Sequence, residues 1–154
     1  MELWTERCLI RNFRPEDVDD LYQVLSDESV MKHIEPVFDR EKTAAFIRTA
    51  GLCEPPLVYA IVWKITGKVI GHAIFRVYGE SDYEIGWILN QAYWGMGIAD
   101  EVTKALTKYA RRLGVSGCVI ECDAGQTASK KLAIKNGFLY EGKQGSLERH
   151  RLNL

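Results

Sequence analysis

The chain has 154 residues, with 20 basic side chains against 21 acidic ones, a formal net charge of −1 and 47% hydrophobic residues. This length predicts a single domain over residues 1–154 that buries its own core, and the balanced charge provides no global basic surface for nucleic acid. No run approaches the roughly 18 apolar residues of a membrane span, and the first residues show no signal peptide, so we expect a cytoplasmic protein without a membrane partner.

The N-terminal half of the chain is predicted to contain three strands and two helices. Pro15 suits the first turn of a helix, and apolar residues recur behind it at helical spacing. Thr66 and Gly67 are typical turn residues between two β-rich runs, which predicts a hairpin. The predicted elements are a strand over 5–13, helices over 15–26 and 39–50, and strands over 57–65 and 68–78.

The C-terminal half begins with an apolar strand over 84–89, in which Ile85, Trp87 and Leu89 share one face. An amphipathic helix over 98–113 follows, with acidic residues in its first turn, arginines in its last and a glycine after it. The remaining predicted elements are a strand over 117–123, a helix over 127–136 and strands over 138–143 and 147–154.

A loop with two glycines connects the 84–89 strand to the long helix. Its small residues let backbone N–H groups turn inward at the positive end of the helix dipole, where unpaired amides bind an anion without a lysine. The loop residues predicted to hold a phosphate are Trp94, Gly95, Met96, Gly97, Ile98 and Ala99.

Two common phosphate-binding loops fail on spacing. A dinucleotide fingerprint requires glycines at its first, third and sixth positions, whereas counting from Gly95 gives Gly95, Gly97 and Asp100. The lysine of a Walker loop is also absent. On this segment alone, a tight strand-to-helix turn without any ligand remains an alternative.

Together with two other segments, the loop resembles the GNAT superfamily of N-acetyltransferases, whose acyl-CoA loop reads Gln/Arg-x-x-Gly-x-Gly/Ala. Trp94 stands at the Gln/Arg position, which is similar to the Rim-type subfamily, the ribosomal-protein alanine and serine N-terminal acetyltransferases. Residues 5–17 resemble that subfamily's opening strand and first helix, and residues 128–142 resemble its last helix and strand. The likeness covers nearly the whole chain, in order.

The resemblance implies an α/β fold with one mixed, mostly antiparallel sheet, helices on both faces and a splayed parallel pair of strands where a pantetheine arm enters. It implies acetyl-CoA as co-substrate, with Ile88, Leu89, Ser129 and Lys130 as further contacts beside the loop. Either Lys130 or Lys131 would meet the 3′-phosphate, although a solvated basic helix face explains these two lysines equally well. No metal is expected, because the four cysteines lack the spacing of a zinc knuckle.

Catalysis would be direct attack of an amine on the thioester, with the oxyanion met by a backbone N–H near Ile88 or Leu89. Glu84 is the leading general base, because it points away from the bulky face of its strand, and a plain salt-bridged glutamate is the alternative. His33 and Glu35 are second choices as base. Ser129 is the candidate proton relay to the sulfur.

Two positions depart from the family's pattern and limit this assignment. Ala133 stands where many relatives have a tyrosine acid, so we do not expect a tyrosine acid here. Gln126 replaces the usual asparagine, so the contact made by its side chain is undetermined.

The sequence therefore predicts an acetyl-CoA-dependent N-acetyltransferase whose acceptor is a primary amine, either a peptide N-terminus or a small molecule. Two alternatives from other classes are a module that senses acyl-CoA without turnover and a protein that binds a nucleotide diphosphate through the same loop. A pocket completed by a second copy of the chain, in a homodimer, is also left open.

Overall fold

Apolar residues fall on both faces of the central strands, so other elements must cover the sheet on both sides. The computed structural model describes residues 1–154 and places eight strands in one sheet. None of the helices combines the length and hydrophobicity that crossing a bilayer requires. The strands are β1 Glu2–Trp4, β2 Cys8–Arg11, β3 Val58–Trp63, β4 Val69–Tyr78, β5 Asp82–Leu89, β6 Gly117–Asp123, β7 Leu139–Gln144 and β8 Leu147–Asn153.

Five α-helices connect these strands: α1 Val18–Leu25, α2 Glu28–Met31, α3 Arg40–Phe46, α4 Ile98–Leu113 and α5 Thr127–Lys135. Short turns supplement them, of the 3-10 type at Pro15–Asp17 and Gln91–Tyr93 and of the π type at Ile47–Gly51. The longest helix, α4, has the predicted bounds and ends at Gly114, whose φ of 75° closes the C-terminus in the left-handed region.

The sheet is mixed, and a single pair of neighbouring strands runs parallel. The strand order is β1-β2-β3-β4-β5-β6-β8-β7, in which β5 and β6 are the parallel pair. These two strands pair only between Asp82–Glu84 and Gly117–Val119, and they separate toward their C-terminal ends. The structure thus confirms the predicted α/β fold, with a mostly antiparallel sheet and a splayed parallel pair.

Two hydrophobic cores lie on opposite faces of the sheet, as the alternation along its strands requires. In β3, Ile61 belongs to the core under α4 and α5, whereas Ala60 belongs to the core under α1 and α3. The predicted face of β5 is confirmed, because Ile85 and Leu89 are buried in the α4 core, with Trp87 packed against it.

The N-terminal elements differ from the sequence prediction. The predicted strand over 5–13 is shorter, because Thr5 closes a turn through its backbone N–H to the Cys8 carbonyl (2.9 Å), and β1 precedes this turn. The predicted helix over 15–26 begins with a 3-10 turn, and the one over 39–50 changes to a π turn after Phe46. Helix α2 was missed, although Asp27 accepts from the Ser29 N–H (2.9 Å) as an ordinary N-cap.

His72 of β4 makes the stability of the fold sensitive to acid. Its ring is buried against Phe46, its Nδ1 has no hydrogen-bond partner, and burial lowers its pKa to about 4. Between about pH 6.5 and pH 4 the unfolded chain therefore binds a proton that the native state excludes, so stability falls as pH falls.

We expect the free energy of unfolding to fall by about 2 kcal/mol from this residue between pH 7 and pH 5. Guanidinium unfolding of the wild type and of His72→Leu at both pH values isolates the contribution, because the carboxylates titrate in both proteins. An equal loss in the two proteins would contradict the assignment.

Candidate active site

The glycine loop between β5 and α4 presents free backbone donors. Gly95 and Gly97 have φ of 74° and 83°, a region that other residues rarely adopt. The backbone N–H groups from Met96 to Asp100 donate to no acceptor within the chain. Because they lie at the positive end of the α4 dipole, they form a site for an anion such as a phosphate.

A carboxylate in the first turn of α4 ties this loop to the N-terminal hairpin. Glu101 accepts hydrogen bonds from Thr5 Oγ1 (2.6 Å), the Arg7 N–H (2.7 Å) and Arg7 Nε (2.9 Å). Burial alone would raise the pKa of Glu101, but these hydrogen bonds outweigh it and lower the pKa. The Arg7 guanidinium is also near the loop, since its Nη2 lies 3.5 Å from where a Cβ on Gly97 would be.

A cavity of about 680 Å³ begins at the glycine loop and is large enough for a cofactor-sized ligand. Its wall is formed by the loop, the end of β5, one face of α5 and the segment around the end of α2. The predicted cofactor-binding residues that line it are Ile88, Leu89, Trp94, Gly95, Gly97, Ile98, Ala99 and Ser129.

Two predicted contacts do not line this cavity. Met96 is exposed at the surface (42%), and Lys130 Nζ instead pairs with Glu148 Oε2 at 3.1 Å. Lys135 occupies the cavity wall in place of Lys130, because positions 128, 132 and 135 share one helix face. Lys135 could therefore have been found from helical spacing.

A second cavity, of about 180 Å³, lies in the gap between β5 and β6. The two cavities adjoin and share the wall residues His33, Ile34, Trp87, Ile88, Gln126 and Ser129. Cys122 also lines the smaller cavity, but burial raises the pKa of its thiol, so it is protonated at neutral pH and a poor nucleophile. Ser129 is thus positioned where the two cavities meet.

Glu84 lines the smaller cavity and not the larger one. Its side chain is 9% exposed, and its Oε2 accepts from Arg76 Nε at 2.6 Å. Its Oε1 has no hydrogen-bond partner in the chain, which leaves one carboxylate oxygen available to a bound molecule. The ion pair that the sequence left as an alternative is therefore present, together with a free oxygen.

The two other candidate bases are separated by the structure. His33 lines both cavities, and its Nδ1 lies 3.7 Å from Asp123 Oδ1. Gly125 packs against this ring so closely that a Cβ there would lie 2.8 Å from His33 Cε1. Glu35 lines neither cavity and pairs with Lys42 Nζ at 3.4 Å, on the surface.

A family model described as the acetyltransferase (GNAT) domain matches residues 7–139. The chain belongs to the GNAT acetyltransferase family. It is 32% identical over 146 residues to the uncharacterized N-acetyltransferase YnaD of Bacillus subtilis, a match that covers 92% of this chain and 85% of YnaD.

Solved structures agree with the family. A GNAT-family acetyltransferase from Bacillus anthracis has a TM-score of 0.88 at 28% identity, over 100% of this chain and 98% of that chain. RimL, a ribosomal L7/L12 α-N-protein acetyltransferase solved in complex with coenzyme A, has a TM-score of 0.82 at 21% identity, over 100% and 98%. The likeness to RimL shows a shared fold.

Three residues of this GNAT domain that depart from the family's pattern have local explanations. Trp94 donates its indole N–H to the Leu89 carbonyl (3.0 Å), which fixes the start of the loop to the end of β5. Gln126 Oε1 accepts from the Asp123 N–H (2.7 Å) and closes the turn between β6 and α5. Ala133 is fully buried in the α4 core, so no side-chain acid reaches the cavity from that position.

We expect Glu101→Gln to lower the free energy of unfolding by about 1–3 kcal/mol, because it removes the charge from three hydrogen bonds that join the hairpin to the loop. Glu41→Gln is the matched control, since Glu41 also occupies a helix first turn but forms no side-chain hydrogen bond or ion pair. Urea unfolding of both variants measures the difference. Equal effects would mean that the Glu101 contacts contribute nothing beyond a helix-dipole interaction.

Proposed function

We propose that this protein is an acetyl-CoA-dependent N-acetyltransferase that transfers an acetyl group to a primary amine by direct attack. The observation that carries the proposal is the continuity of the two cavities. The larger one begins at free amides suited to phosphate and reaches the gap between β5 and β6, where the smaller one contains the free oxygen of Glu84. RimL, which shares this fold, was solved with coenzyme A.

The residues present fit the charged part of coenzyme A. The free amides from Met96 to Asp100 supply donors for the diphosphate at a helix N-terminus. Arg7, beside Gly97, and Lys135, in the cavity wall, add two cations within the same region. Asp100 also lines the wall, but its charge is offset by the closer Lys104 (2.5 Å), so Lys135, 3.6 Å from the same carboxylate, remains an additional cation.

The end of β5 is the part of the site suited to the reacting carbonyl. Acetyl-CoA supplies an activated thioester there, and a backbone N–H near Ile88 or Leu89 would stabilise the oxyanion that develops. The position of this backbone is restricted by Gly71 on β4, since a Cβ at Gly71 would lie 2.0 Å from the Ile88 carbonyl oxygen. Such close strand packing keeps the donor fixed during the reaction.

The acceptor amine must lose its proton before it attacks. At pH 7 an unperturbed lysine amine is neutral in roughly one molecule in 2,500, and an α-amine in roughly one in ten. Glu84 Oε1 is free to take this proton, and His33 is the second candidate at the junction of the cavities. Ser129 lies at the same junction, where its hydroxyl can return a proton to the departing sulfur.

The acceptor is a peptide N-terminus or a small amine. RimL's name places its own activity on the α-amine of a ribosomal protein. An acyl-CoA sensor and a nucleotide-diphosphate protein would use the same loop differently, so ligand selectivity and turnover separate the three functions.

Ligand selectivity is tested by thermal unfolding with acetyl-CoA, CoA, NAD and ATP side by side. We expect the two CoA species to stabilise the protein by about 2.7 kcal/mol at 100 times the dissociation constant. Gly97→Glu should abolish this shift, because it adds a carboxylate at the free amides. Gly79→Glu is the matched control, because Gly79 also has positive φ (65°) but lies in the open β4–β5 turn. A larger shift with NAD or ATP would indicate the nucleotide-binding alternative.

Turnover is tested by thiol release from acetyl-CoA with amine acceptors. We expect Glu84→Gln to lower kcat/KM by about 10²–10⁴ while acetyl-CoA affinity is unchanged, as for loss of a general base. Glu80→Gln removes the same charge from an exposed position near the β4–β5 turn and should have no effect. If His33→Gln gives the loss and Glu84→Gln does not, His33 is the base. CoA binding without turnover for any amine would favour the sensor.

A further inference from the structure

The smaller cavity contains two carboxylates from adjacent parallel strands. Glu84 of β5 is in register with Val119 of β6, so Glu121, two residues further along β6, points to the same face of the sheet. Both glutamates line the cavity. The two carboxylates face a cavity because β5 and β6 stop pairing at this point and separate.

Each of these carboxylates is held through one oxygen only. Glu84 Oε2 is bound by Arg76, whose side chain is half exposed, and Glu121 Oε1 accepts from the neutral Tyr78 hydroxyl at 2.5 Å. Glu84 Oε1 and Glu121 Oε2 have no hydrogen-bond partner in the chain. No lysine or arginine lines the cavity, but Arg76 offsets the charge of Glu84 from behind it. Arg149, near Tyr78 and Glu121, is itself paired with Glu141 (3.6 Å), so Glu121 is the less compensated carboxylate of the two.

The rest of the wall is mainly apolar and the enclosed space is small. Isoleucines from three strands form much of it, together with Leu147. The cavity is about 180 Å³ and partly open to solvent. It therefore has room for an amine and the few atoms next to it, whereas the remainder of an acceptor extends outside.

We propose that Glu84 and Glu121 select acceptors whose amine-bearing carbon carries no carboxylate. This inference rests on the acetyltransferase function proposed above and narrows its acceptor to peptide N-termini and simple amines, excluding free amino acids. A carboxylate two bonds from the amine would enter the cavity within about 6 Å of Glu121, whereas the charge of Glu84 is offset by Arg76. At an effective dielectric constant of about 20, repulsion from this one charge exceeds a factor of ten in affinity. Glu121 is the specificity-determining residue.

Paired acceptors test the selection. Alaninamide and alanine differ at the carboxyl group, and kcat/KM for each is measured by thiol release from acetyl-CoA. In Glu121→Gln we expect the ratio of kcat/KM for alaninamide to kcat/KM for alanine to fall by about tenfold. The two acceptors differ in amine pKa, but this difference is the same for both enzymes and does not contribute to the change. In Tyr78→Phe the glutamate keeps its charge and only the hydrogen bond is lost, so the preference should persist. Glu80→Gln is the surface-charge control.

A second measurement uses the wild-type protein alone. With CoA bound, we expect N-acetylalanine to bind at least tenfold more weakly than N-acetylalaninamide in calorimetry, because neither product has an amine to titrate. Equal affinities for the two products, or an acceptor preference unchanged by Glu121→Gln, would overturn the selection. If alaninamide is still acetylated in that case, the proposed acetyltransferase function stands. Absence of both acetyl-CoA binding and thiol release would overturn that function, and this inference with it.

Discussion

The separation of β5 from β6 is the constraint on which the rest of the site depends. These strands share three paired positions and then diverge, so backbone groups in the middle of a sheet lose the partners that a continuous ladder would give them. The two cavities occupy this gap, the glycine loop follows directly from the freed end of β5, and Glu84 is the last paired residue before the opening. A ligand arm lying in the gap would complete hydrogen bonds that the fold leaves open.

Elements with strong local signals were predicted well from the sequence. The α4 helix has acidic residues in its first turn, arginines in its last and a glycine cap, and these determine its ends without help from other elements. The β6 strand likewise has its predicted bounds. The N-terminal region was predicted less well. The bonds from Thr5 and Arg7 to Glu101 join residues 94 or more positions apart, and no local pattern encodes them, whereas the turn at Thr5 and the N-cap of α2 are local signals that the sequence prediction overlooked.

Some residues of the candidate site were also predicted from the sequence, and others were missed. The loop and the orientation of Glu84 followed from spacing and alternation, and Ser129 followed from the family resemblance. The structure brings Ser129 and Glu84 to one cavity. Arg7 and Glu121 were missed because their positions depend on how distant strands pair. Lys130 was named from its place in the opening turns of α5 and Lys135 was not considered, whereas the face of the helix decides which lysine lines the cavity.

The contacts of Glu101 have a consequence for the first strands of the chain. β1 and β2 line neither cavity, yet the turn between them holds the first turn of α4 through Thr5 and Arg7. Energetic coupling between two sites is reciprocal. If the hairpin helps to hold the loop in place, an anion that binds and orders the loop also stabilises the hairpin. The hairpin is therefore a ligand-responsive segment, whose hydrogen exchange should slow when the loop is occupied even though none of its strand residues touches the ligand.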